Sequence, residues 1–577
     1  IYTGEDTLSL HDALPIFVNQ FADPMSFFRE LIQNALDAGS DEVEIEFEFE
    51  ASASEPTHGA MIVIVRDFGC GMDREIIDKQ LTRLFSSSKD GDMTKIGKFG
   101  IGFVSVFAIN PDAVCVDTGR AGERWRVLFG ADRSFKRLKL DEPIEGTTVR
   151  LIKTTTKAEF DAFVTRAHEV IRYWCRHARG EIRVQGEVIS EPFGLDAPLV
   201  VSYRDEFSDI HLGHRGGHTL HGFYNGGLTL LEGDAGHPSS IAELHGICFK
   251  VSSRYLEHTL SRDDVIKEEH YGRVVKKLRE LVVGMLCEEV LGRIDRALRA
   301  KPGSPEQLPD HELAFLYRAA SWHLRYLAAH GEAGLFGRQG ALPRALAKLA
   351  AARSVAGRLW TWDELATKRD TLLMALGASP LSDELERRGH AVLSTLGAAS
   401  ESEGDLRAGH NEALVELLGR ASGCPVQWLS STFVRPLEPS AEESQRWRPL
   451  ADALERVLDD AGYGVAGARV ARFTGSGSRL GERVGITQRE FGEPTPWAEA
   501  STLGKGFFQR SRVLVVDADH AALGHALALA SREPELAAYQ LAKTFLLVHG
   551  AIDPSDDGKL CQAAMRMREK RCPKQSS

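Results

Sequence analysis

A short helix early in the chain constrains the fold more than any other feature. Asp23 suits an N-cap, Pro24 suits the first helical position and Gly39 suits the residue just past the end. These signals predict a helix over residues 24–38. Its length and its well-marked ends make it the reference point for the segments that follow.

Three polar side chains share one face of this predicted helix. Glu30, Asn34 and Asp37 are spaced at i, i+4 and i+7, which places them on one side. The opposite side carries apolar residues that can face a core, namely Phe27, Leu31 and Ala35. The spacing therefore predicts a helix that packs on a core and presents a carboxylate, an amide and a second carboxylate together.

Two glycine-containing segments follow the helix. Residues 43–49 alternate apolar and acidic side chains, and residues 61–67 are mainly apolar and β-branched, so a half-exposed strand and a buried strand are expected. The buried strand ends in DFGCGM (67–72), where glycines permit a tight turn. Farther on, GKFGIGF (97–103) is typical of a loop whose backbone amides hold phosphate. A nucleotide site is indicated.

The order and spacing of ELIQNALDA (30–38), DFGCGM (67–72) and GKFGIGF (97–103) resemble the signature motifs of the GHKL ATPases. This Bergerat-fold superfamily includes gyrase, heat-shock chaperones, histidine kinases and MutL. The chain is most similar to the ninety-kilodalton heat-shock chaperones of HtpG type, over residues 17–300. The resemblance implies an α+β fold, in which an antiparallel or mixed sheet packs on helices, with ATP and Mg²⁺ as ligands.

The resemblance also implies roles for single residues. Glu30 matches the general base that deprotonates the attacking water, and Asn34 matches the magnesium ligand. Asp67 matches the acceptor of the adenine amino group, and Thr147 matches a threonine that supports adenine binding from the closing strand. Asp37 either assists near the base moiety or is a solvated charge at the helix end.

The mobile lid of the family corresponds to residues 73–96. Within it, Ser88 and Lys89 offer a hydroxyl and a charge to phosphates, although a plain surface loop is an equal alternative. The remaining residues implied at the nucleotide belong to the second and third motifs: Gly69, Gly71, Met72, Gly97, Lys98, Phe99, Gly100, Ile101, Gly102 and Phe103.

A fourth motif that resembles the chaperones lies near residue 260. LSRD (260–263) resembles the middle-domain motif of the chaperones, whose arginine reaches the γ-phosphate. A guanidinium suits that role because it neutralises charge that develops on the transferred phosphoryl group. Arg262 is thus a candidate catalytic residue; the alternative is that it caps the helix that follows.

Length and pattern predict several domains. A chain of 577 residues is expected to hold about three or four. We expect an ATP-binding domain over 17–155, a chaperone-middle-like α+β domain over 156–300 that includes a Gly/His-rich loop near 211–227, a mostly helical region over 301–400 and an α/β region over 401–577. Residues 1–16 resemble a translated sequencing adapter and are expected to be foreign to the protein.

Composition and charge argue against some classes of function. The net charge of −12 gives no sign of a nucleic-acid partner, and no apolar run is long enough to predict a membrane span. Eight scattered cysteines without a CxxC pair predict free thiols in a reducing compartment, hence a cytoplasmic protein.

The leading hypothesis is an ATP-hydrolysing, heat-shock-chaperone-like protein that changes conformation with nucleotide, acts on client or partner proteins and is compatible with a homodimer. The alternatives are a nucleic-acid-transaction ATPase like MutL or gyrase, or a specialised defence or regulatory ATPase. A histidine kinase would need a phosphoacceptor helix before the first motif.

Overall fold

The computed structural model forms two compact units, residues 1–289 and 290–577. The residues that the structure describes are 23–81, 102–131, 134–257, 259, 265–330, 342–397, 405–473, 480, 483–501, 503–504, 512–550 and 552–571. The segment 1–16, the lid residues Ser88 and Lys89, the loop residues Gly97–Ile101 and the motif with Arg262 lie outside these ranges.

The helix predicted over 24–38 is confirmed. A 3₁₀ turn, Pro24–Ser26, leads into helix α1, Phe27–Asp37. The Asp23 carboxylate accepts a hydrogen bond from the Met25 N–H at 2.9 Å, as expected of a residue that caps a helical turn. Gly39 follows with a φ of 84°, a backbone conformation that glycine adopts without strain.

An eight-stranded mixed sheet forms the rest of the first domain. Its strand order is β5-β4-β3-β6-β2-β1-β7-β8, and the neighbours are antiparallel except for the parallel pair β1–β7. The strands are β1 (Glu42–Ala51), β2 (His58–Asp67), β3 (Ala113–Arg120), β4 (Glu123–Gly130), β5 (Phe135–Lys139), β6 (Thr147–Thr156), β7 (Glu181–Val184) and β8 (Glu187–Val188).

Two helices cover this sheet. Phe27, Phe28 and Ile32 of α1 share one apolar core with Phe160 and Ile171 of helix α2, Lys157–Cys175, and with the inward residues of the strands. A capping box between Thr156 and Glu159 begins α2 directly at the end of β6. A mixed sheet packed on helices is the fold that the sequence predicts for this domain.

The first unit continues into a five-stranded sheet with the order β12-β11-β13-β10-β9. Its strands are β9 (Leu199–Arg204), β10 (Asp209–His214), β11 (Leu220–Asn225), β12 (Leu228–Gly233) and β13 (Cys248–Ser252). Helix α3 (Glu269–Leu281), a π-helical turn (Val282–Leu286) and helix α4 (Cys287–Arg299) follow as one continuous run.

The prediction of a Gly/His-rich loop near 211–227 is wrong. The segment contains β10, a turn and β11, and His214 and His221 are only 5% and 6% exposed. The glycines mark close contact between strands: a Cβ on Gly213 would lie 2.0 Å from the Leu199 carbonyl oxygen. Glycine within a strand was therefore mistaken for glycine in a loop.

The second unit contains short strands among its helices. Its first part holds α5 (Asp310–His330), a turn (Arg344–Ala347), β14 (Ala350–Arg353), β15 (Leu359–Thr361), α6 (Trp362–Thr367), β16 (Leu372–Ala375), α7 (Pro380–Arg387), β17 (Val392–Ser394), α8 (Asn411–Ser422) and β18 (Val426–Trp428). The order β17-β16-β18 is fully parallel. Residues 301–400, where the spacing predicts mainly helices, thus also contain strands of three or four residues, which are too short to show an alternating pattern.

The last part of the chain combines a small sheet with long helices. It holds a turn (Leu429–Thr432), β19 (Phe433–Val434), α9 (Ala441–Asp460), β20 (Val465–Ala471), β21 (Gly485–Gln488), β22 (Thr495–Pro496), β23 (Arg512–Asp517), α10 (Ala521–Ala530), α11 (Pro534–Val548) and α12 (Pro554–Arg571). Among the described helices of the chain, none is both long and apolar enough to cross a membrane.

Candidate functional site

Glu30 lies in the middle of α1 and is almost entirely buried, with 2% of its surface exposed. Its carboxylate approaches the backbone of Gly102, because a Cβ built on Gly102 would lie only 2.6 Å from Glu30 Oε2. The first and third sequence motifs therefore meet in space. A side chain at position 102 would therefore displace the Glu30 carboxylate.

Asp67 lies at the end of β2, opposite Thr147 at the start of β6. Its Oδ1 accepts hydrogen bonds from the N–H groups of Gly69, at 2.9 Å, and Thr147, at 3.2 Å. Burial raises the pKa of the Asp67 carboxyl, and these two amides partly offset that effect. Within the described part of the chain, the hydrogen bonds to this carboxylate fall on Oδ1, so Oδ2 is the oxygen available to an external donor.

The turn after Asp67 is attached to the carboxyl end of α1. The Cys70 N–H donates to the Ala38 carbonyl oxygen at 2.9 Å, and the Phe68 N–H donates to Ser40 Oγ at 2.9 Å. A Cβ on Gly69 would lie 2.8 Å from the Ala38 Cβ, so this glycine allows the close approach. The first and second motifs therefore form one local structure.

Two further glycines are required by backbone contacts around this turn. Gly71 has a φ of 59°, and a Cβ there would lie 2.0 Å from the Gly119 carbonyl oxygen. Gly146 has a φ of 70°, and a Cβ there would lie 2.0 Å from the Asp67 carbonyl oxygen. Any larger residue at either position would force the backbone beside Asp67 to move.

Thr118 on β3 is a residue that the sequence reasoning missed. Its fully buried hydroxyl accepts a hydrogen bond from the Met72 N–H at 2.8 Å and lies 3.0 Å from Thr147 Oγ1. It thus ties the second motif to the closing strand. The available signal was that Asp117 and Thr118 directly follow the apolar run AVCV (113–116), where a buried hydroxyl needs a partner.

The polar face of α1 is also larger than predicted. Arg29 and Gln33 are buried, and the structure gives their side-chain nitrogens and the Gln33 oxygen no hydrogen-bond partner among the residues it describes. The Arg29 guanidinium lies 4.9 Å from the ring of Trp174 on α2, and burial lowers its pKa to about 10. Such groups cost folding free energy, so this face of α1 is not built for stability alone.

The other predicted site residues lie on α1, against the domain core or outside the described residues. Asn34 and Asp37 are half-buried on α1, along the helix from Glu30. The Phe103 ring lies 5.6 Å from the ring of Phe129 and packs against the domain core. Ser88, Lys89, Gly97, Lys98, Phe99, Gly100, Ile101 and Arg262 lie outside the described residues.

Asn34 carries an oxygen donor of the kind that Mg²⁺ accepts. The described ranges contain no group of three or more His, Cys, Asp or Glu side chains that could hold a metal. Mg²⁺ usually keeps several waters and takes few protein ligands when it also binds substrate phosphates. One amide oxygen, that of Asn34, therefore fits this kind of site.

Comparison with known proteins agrees with this geometry. Residues 26–161 match the family described as histidine kinase-, DNA gyrase B-, and HSP90-like ATPase. The matched range contains every described site residue, on α1, β2, β3, β6 and the segments that join them. Residues 26–161 therefore form a GHKL-type domain, and the resemblance seen in the three motifs is confirmed for this part of the chain.

Several relatives share more than this domain. The chain is 31% identical to the chaperone protein HtpG of Methylococcus capsulatus over 202 residues, which is 30% of this chain and 31% of the relative. It is 27% identical to HtpG of Rhodospirillum rubrum over 260 residues, or 38% of this chain and 40% of the relative. HtpG of Anaplasma phagocytophilum is 34% identical over 177 residues, or 26% and 27%. These matches span less than half the length of the relatives.

Proposed function

We propose that this protein binds ATP and hydrolyses it to ADP and phosphate at the site formed by α1 and the turns after β2 and before β6. The observation that carries the proposal is the position of the Glu30 carboxylate. It is buried on α1 and directed at the backbone of Gly102, where the phosphate-binding loop ends. A carboxylate beside the phosphates can accept the proton of the attacking water.

Adenine recognition is assigned to Asp67. Two backbone amides hold its Oδ1, which orients Oδ2 toward a donor such as the amino group of adenine. Guanine carries a carbonyl oxygen where adenine has this amino group, so an ionised Asp67 favours ATP over GTP. Thr147 supports the same site through its own N–H and through its contact with Thr118.

Phosphate binding and charge neutralisation are assigned to other residues. Asn34 would hold Mg²⁺, which supplies charge neutralisation at the phosphates when it is bound. In the family pattern, residues 73–96 close over the nucleotide, Ser88 and Lys89 contact phosphates, and Arg262 reaches the γ-phosphate. An arginine in that place stabilises the charge of the transition state rather than the bound substrate.

The wider function that we propose is that of a cytoplasmic, chaperone-like machine. Nucleotide closes the lid and brings the Arg262 segment to the site, and this change acts on client or partner proteins, with a homodimer as the compatible assembly. The support is the similarity to proteins named chaperone protein HtpG. The net charge of −12 is the reason for ranking a nucleic-acid ATPase second.

Hydrolysis is tested by Glu30→Ala. ATP binding should persist, whereas turnover should fall by about 10²–10⁴-fold, the usual contribution of a positioned base. Glu48→Ala, which removes an exposed carboxylate from β1, is the matched control and should leave turnover unchanged. Normal turnover in Glu30→Ala, or a loss of ATP binding as large as the loss of turnover, would refute the assignment.

The chaperone-like mechanism is tested by Arg262→Ala. If Arg262 contacts the nucleotide mainly in the closed state, turnover should fall while ATP affinity stays nearly constant. ATP-dependent suppression of aggregation of an unfolded test protein should fall with it. Strong, salt-sensitive activation by DNA together with normal turnover in Arg262→Ala would instead support the nucleic-acid ATPase.

A further inference from the structure

A cavity of about 330 Å³ lies in the first unit, between the residues that follow α2 and one end of the five-stranded sheet. Its lining comes from that segment, from the turns β9–β10 and β11–β12 and from the end of β13. Small-molecule sites typically have volumes of about 300–1,000 Å³. The cavity is therefore large enough for a small ligand, and the proposed nucleotide site uses none of its described lining residues.

The buried ring of His177 forms part of the wall and is held in place by its neighbours. A Cβ on Gly227 would lie 1.7 Å from the His177 carbonyl oxygen, so the β11–β12 turn packs directly on the histidine backbone. The ring Nδ1 lies 3.2 Å from the Glu191 carbonyl oxygen, and since a carbonyl oxygen only accepts, Nδ1 carries the proton. Nε2 is then the acceptor for Lys250 Nζ at 2.9 Å.

Lys250, directly behind this histidine, is a buried cation without an ion pair to any described residue. It is only 8% exposed, and burial lowers the pKa of its ammonium group. The Glu232 carboxylate attracts it but is paired with Arg176 at 2.6 Å and accepts a hydrogen bond from the Tyr224 hydroxyl. A buried charge without a counterion costs free energy, so a negative group beside His177 would be favourable.

Two exposed cations at the cavity are also left without a partner. Arg179 and Arg254 line it, and neither forms an ion pair within the part of the chain that the structure describes. A guanidinium offers planar N–H groups that match the oxygens of a carboxylate or a phosphate. These two side chains are therefore suited to hold an oxyanion.

The three described carboxylates of the lining do not balance these cations. Asp209 is paired with Arg204. Asp205 Oδ1 accepts hydrogen bonds from two backbone N–H groups of its own turn, at 2.9 and 2.7 Å, which stabilise its charge. Glu206 remains, against two exposed guanidiniums and the buried ammonium. The cavity thus has an excess of unpaired positive charge.

We propose that this cavity binds a small aromatic molecule that carries an oxyanion, either a carboxylate or a phosphate. Arg179 and Arg254 bind the oxyanion, and Lys250 attracts it through space. The aromatic body packs on the half-buried Phe193 and on Phe207, which is 51% exposed. The site does not depend on the proposed ATPase activity, because its residues are separate from those assigned to the nucleotide.

The probes are phenyl phosphate and benzoate, added separately to the full chain without nucleotide and followed by titration calorimetry. At least one should bind with a dissociation constant of about 1 mM or below, and the tighter of the two identifies the preferred oxyanion. Binding should weaken as the salt concentration rises, because the guanidiniums are exposed. Benzyl alcohol, which lacks the charge, and inorganic phosphate, which lacks the ring, are the matched ligand controls and should bind at least about tenfold more weakly.

Four variants locate the site. The double variant Arg179→Gln with Arg254→Gln should weaken binding of the better probe by about tenfold or more. Lys250→Met removes the buried charge and should weaken it by about threefold or more. Arg215→Gln is the matched control: this exposed arginine lies in the turn between β10 and β11, outside the described lining. Arg215→Gln and Asp67→Asn should both bind the probe as the unaltered chain does.

The proposal is overturned if neither probe binds at about 1 mM, or if a control ligand binds as tightly as the better probe. Unchanged affinity in the double arginine variant or in folded Lys250→Met, or a loss of affinity in Arg215→Gln, would overturn it as well. Loss of probe binding in Asp67→Asn would place the probe at the nucleotide site, with the same consequence. If Lys250→Met does not fold, the double arginine variant decides, because it changes exposed side chains only.

Discussion

Helices α1 and α9 are both buried helices of this chain, but they bury different kinds of side chain. On α1, Arg29, Glu30 and Gln33 are as buried as the phenylalanines beside them. On α9, the buried residues are apolar: Trp447, Leu450, Ala451, Ala453, Leu454, Val457 and Leu458. The same helical geometry thus buries polar side chains beside an apolar core in one domain and only apolar side chains in the other.

The difference between the buried side chains of α1 and those of α9 shows which of them stabilise the fold. A buried apolar side chain stabilises the fold by roughly 1.5–3 kcal/mol, whereas a buried polar group without a partner costs free energy. α9 also begins with a capping box between Ser440 and Glu443, so its first turn and its apolar core both favour the helix. α1 is therefore held by its apolar face, whereas the buried groups of its polar face that have no described partner, on Arg29 and Gln33, cost stability.

The largest effect is expected at Gly146, where neighbouring backbone atoms leave no room for a side chain. In Gly146→Ala the new Cβ would meet the Asp67 carbonyl oxygen at 2.0 Å, and the residue would keep a φ of 70°. ATP affinity should fall by about 100-fold or more, since both the turn and the adenine acceptor must move, and stability should fall as well. Titration calorimetry and thermal unfolding measure the two effects.

The control for Gly146→Ala is Gly122→Ala. Gly122 also has a positive φ, of 85°, but a Cβ there meets nothing within 4 Å. Backbone strain alone should cost about 1–2 kcal/mol of stability and leave ATP affinity unchanged. Equal affinity losses in the two variants would show that strain, and not the contact with Asp67, is responsible.

The next largest effect, a loss of stability, is expected for a substitution on α9. Leu454→Ala on α9 removes a side chain that is 1% exposed in the core, and it should lower the free energy of unfolding of its unit by about 2–5 kcal/mol. ATP affinity measured below the unfolding transition should not change. A selective loss of ATP affinity in the folded variant would break the contrast between the two helices.

A smaller effect is expected at the buried hydroxyl of Thr118. Thr118→Val keeps the shape but leaves the Met72 N–H without its acceptor, which should weaken ATP binding by about tenfold through a cost of roughly 1–3 kcal/mol. Thr118→Ser retains the hydroxyl and should restore most of the affinity. If serine fails to restore affinity while both variants fold equally well, the role of Thr118 is packing only.

The smallest effect is a dependence on pH. Because burial raises the pKa of Asp67, this carboxyl should take up a proton at a higher pH than an exposed aspartate does. Protonation turns Oδ2 from a charged acceptor into a hydroxyl donor that faces the adenine amino group, so ATP affinity should fall on acidification before ordinary surface aspartates titrate. Affinities measured across mildly acidic buffers check this, and a constant affinity through that range would contradict the assignment.

Much of the first domain was predictable from sequence, for physical reasons that its residues make clear. Asp23, Pro24 and Gly39 act locally, so the ends of α1 could be read directly, and the apolar run 61–67 identified β2. The contacts of Thr118, Gly146 and Thr147 were harder to foresee, because they join residues 28 to 80 positions apart and depend on the order of strands in the sheet.

Prediction was weakest where strands are short or contain glycine. Gly213 and Gly222 interrupt the alternating pattern of β10 and β11, which made the segment resemble a loop. In the second unit, β14 to β18 have three or four residues each, fewer than a period-2 pattern needs to be recognised. In both places tertiary pairing, not local preference, sets the structure.

The most direct test of the central claim is calorimetric titration of the full chain and of Asp67→Asn with ATP and Mg²⁺. The unaltered chain should bind one ATP, and the variant should show no binding, because an asparagine N–H₂ in place of Oδ2 would meet the adenine amino group, another donor. Turnover should disappear together with binding. If Asp67→Asn binds ATP as tightly as the unaltered chain, the nucleotide is not held at this turn, and the assignment of the site is wrong.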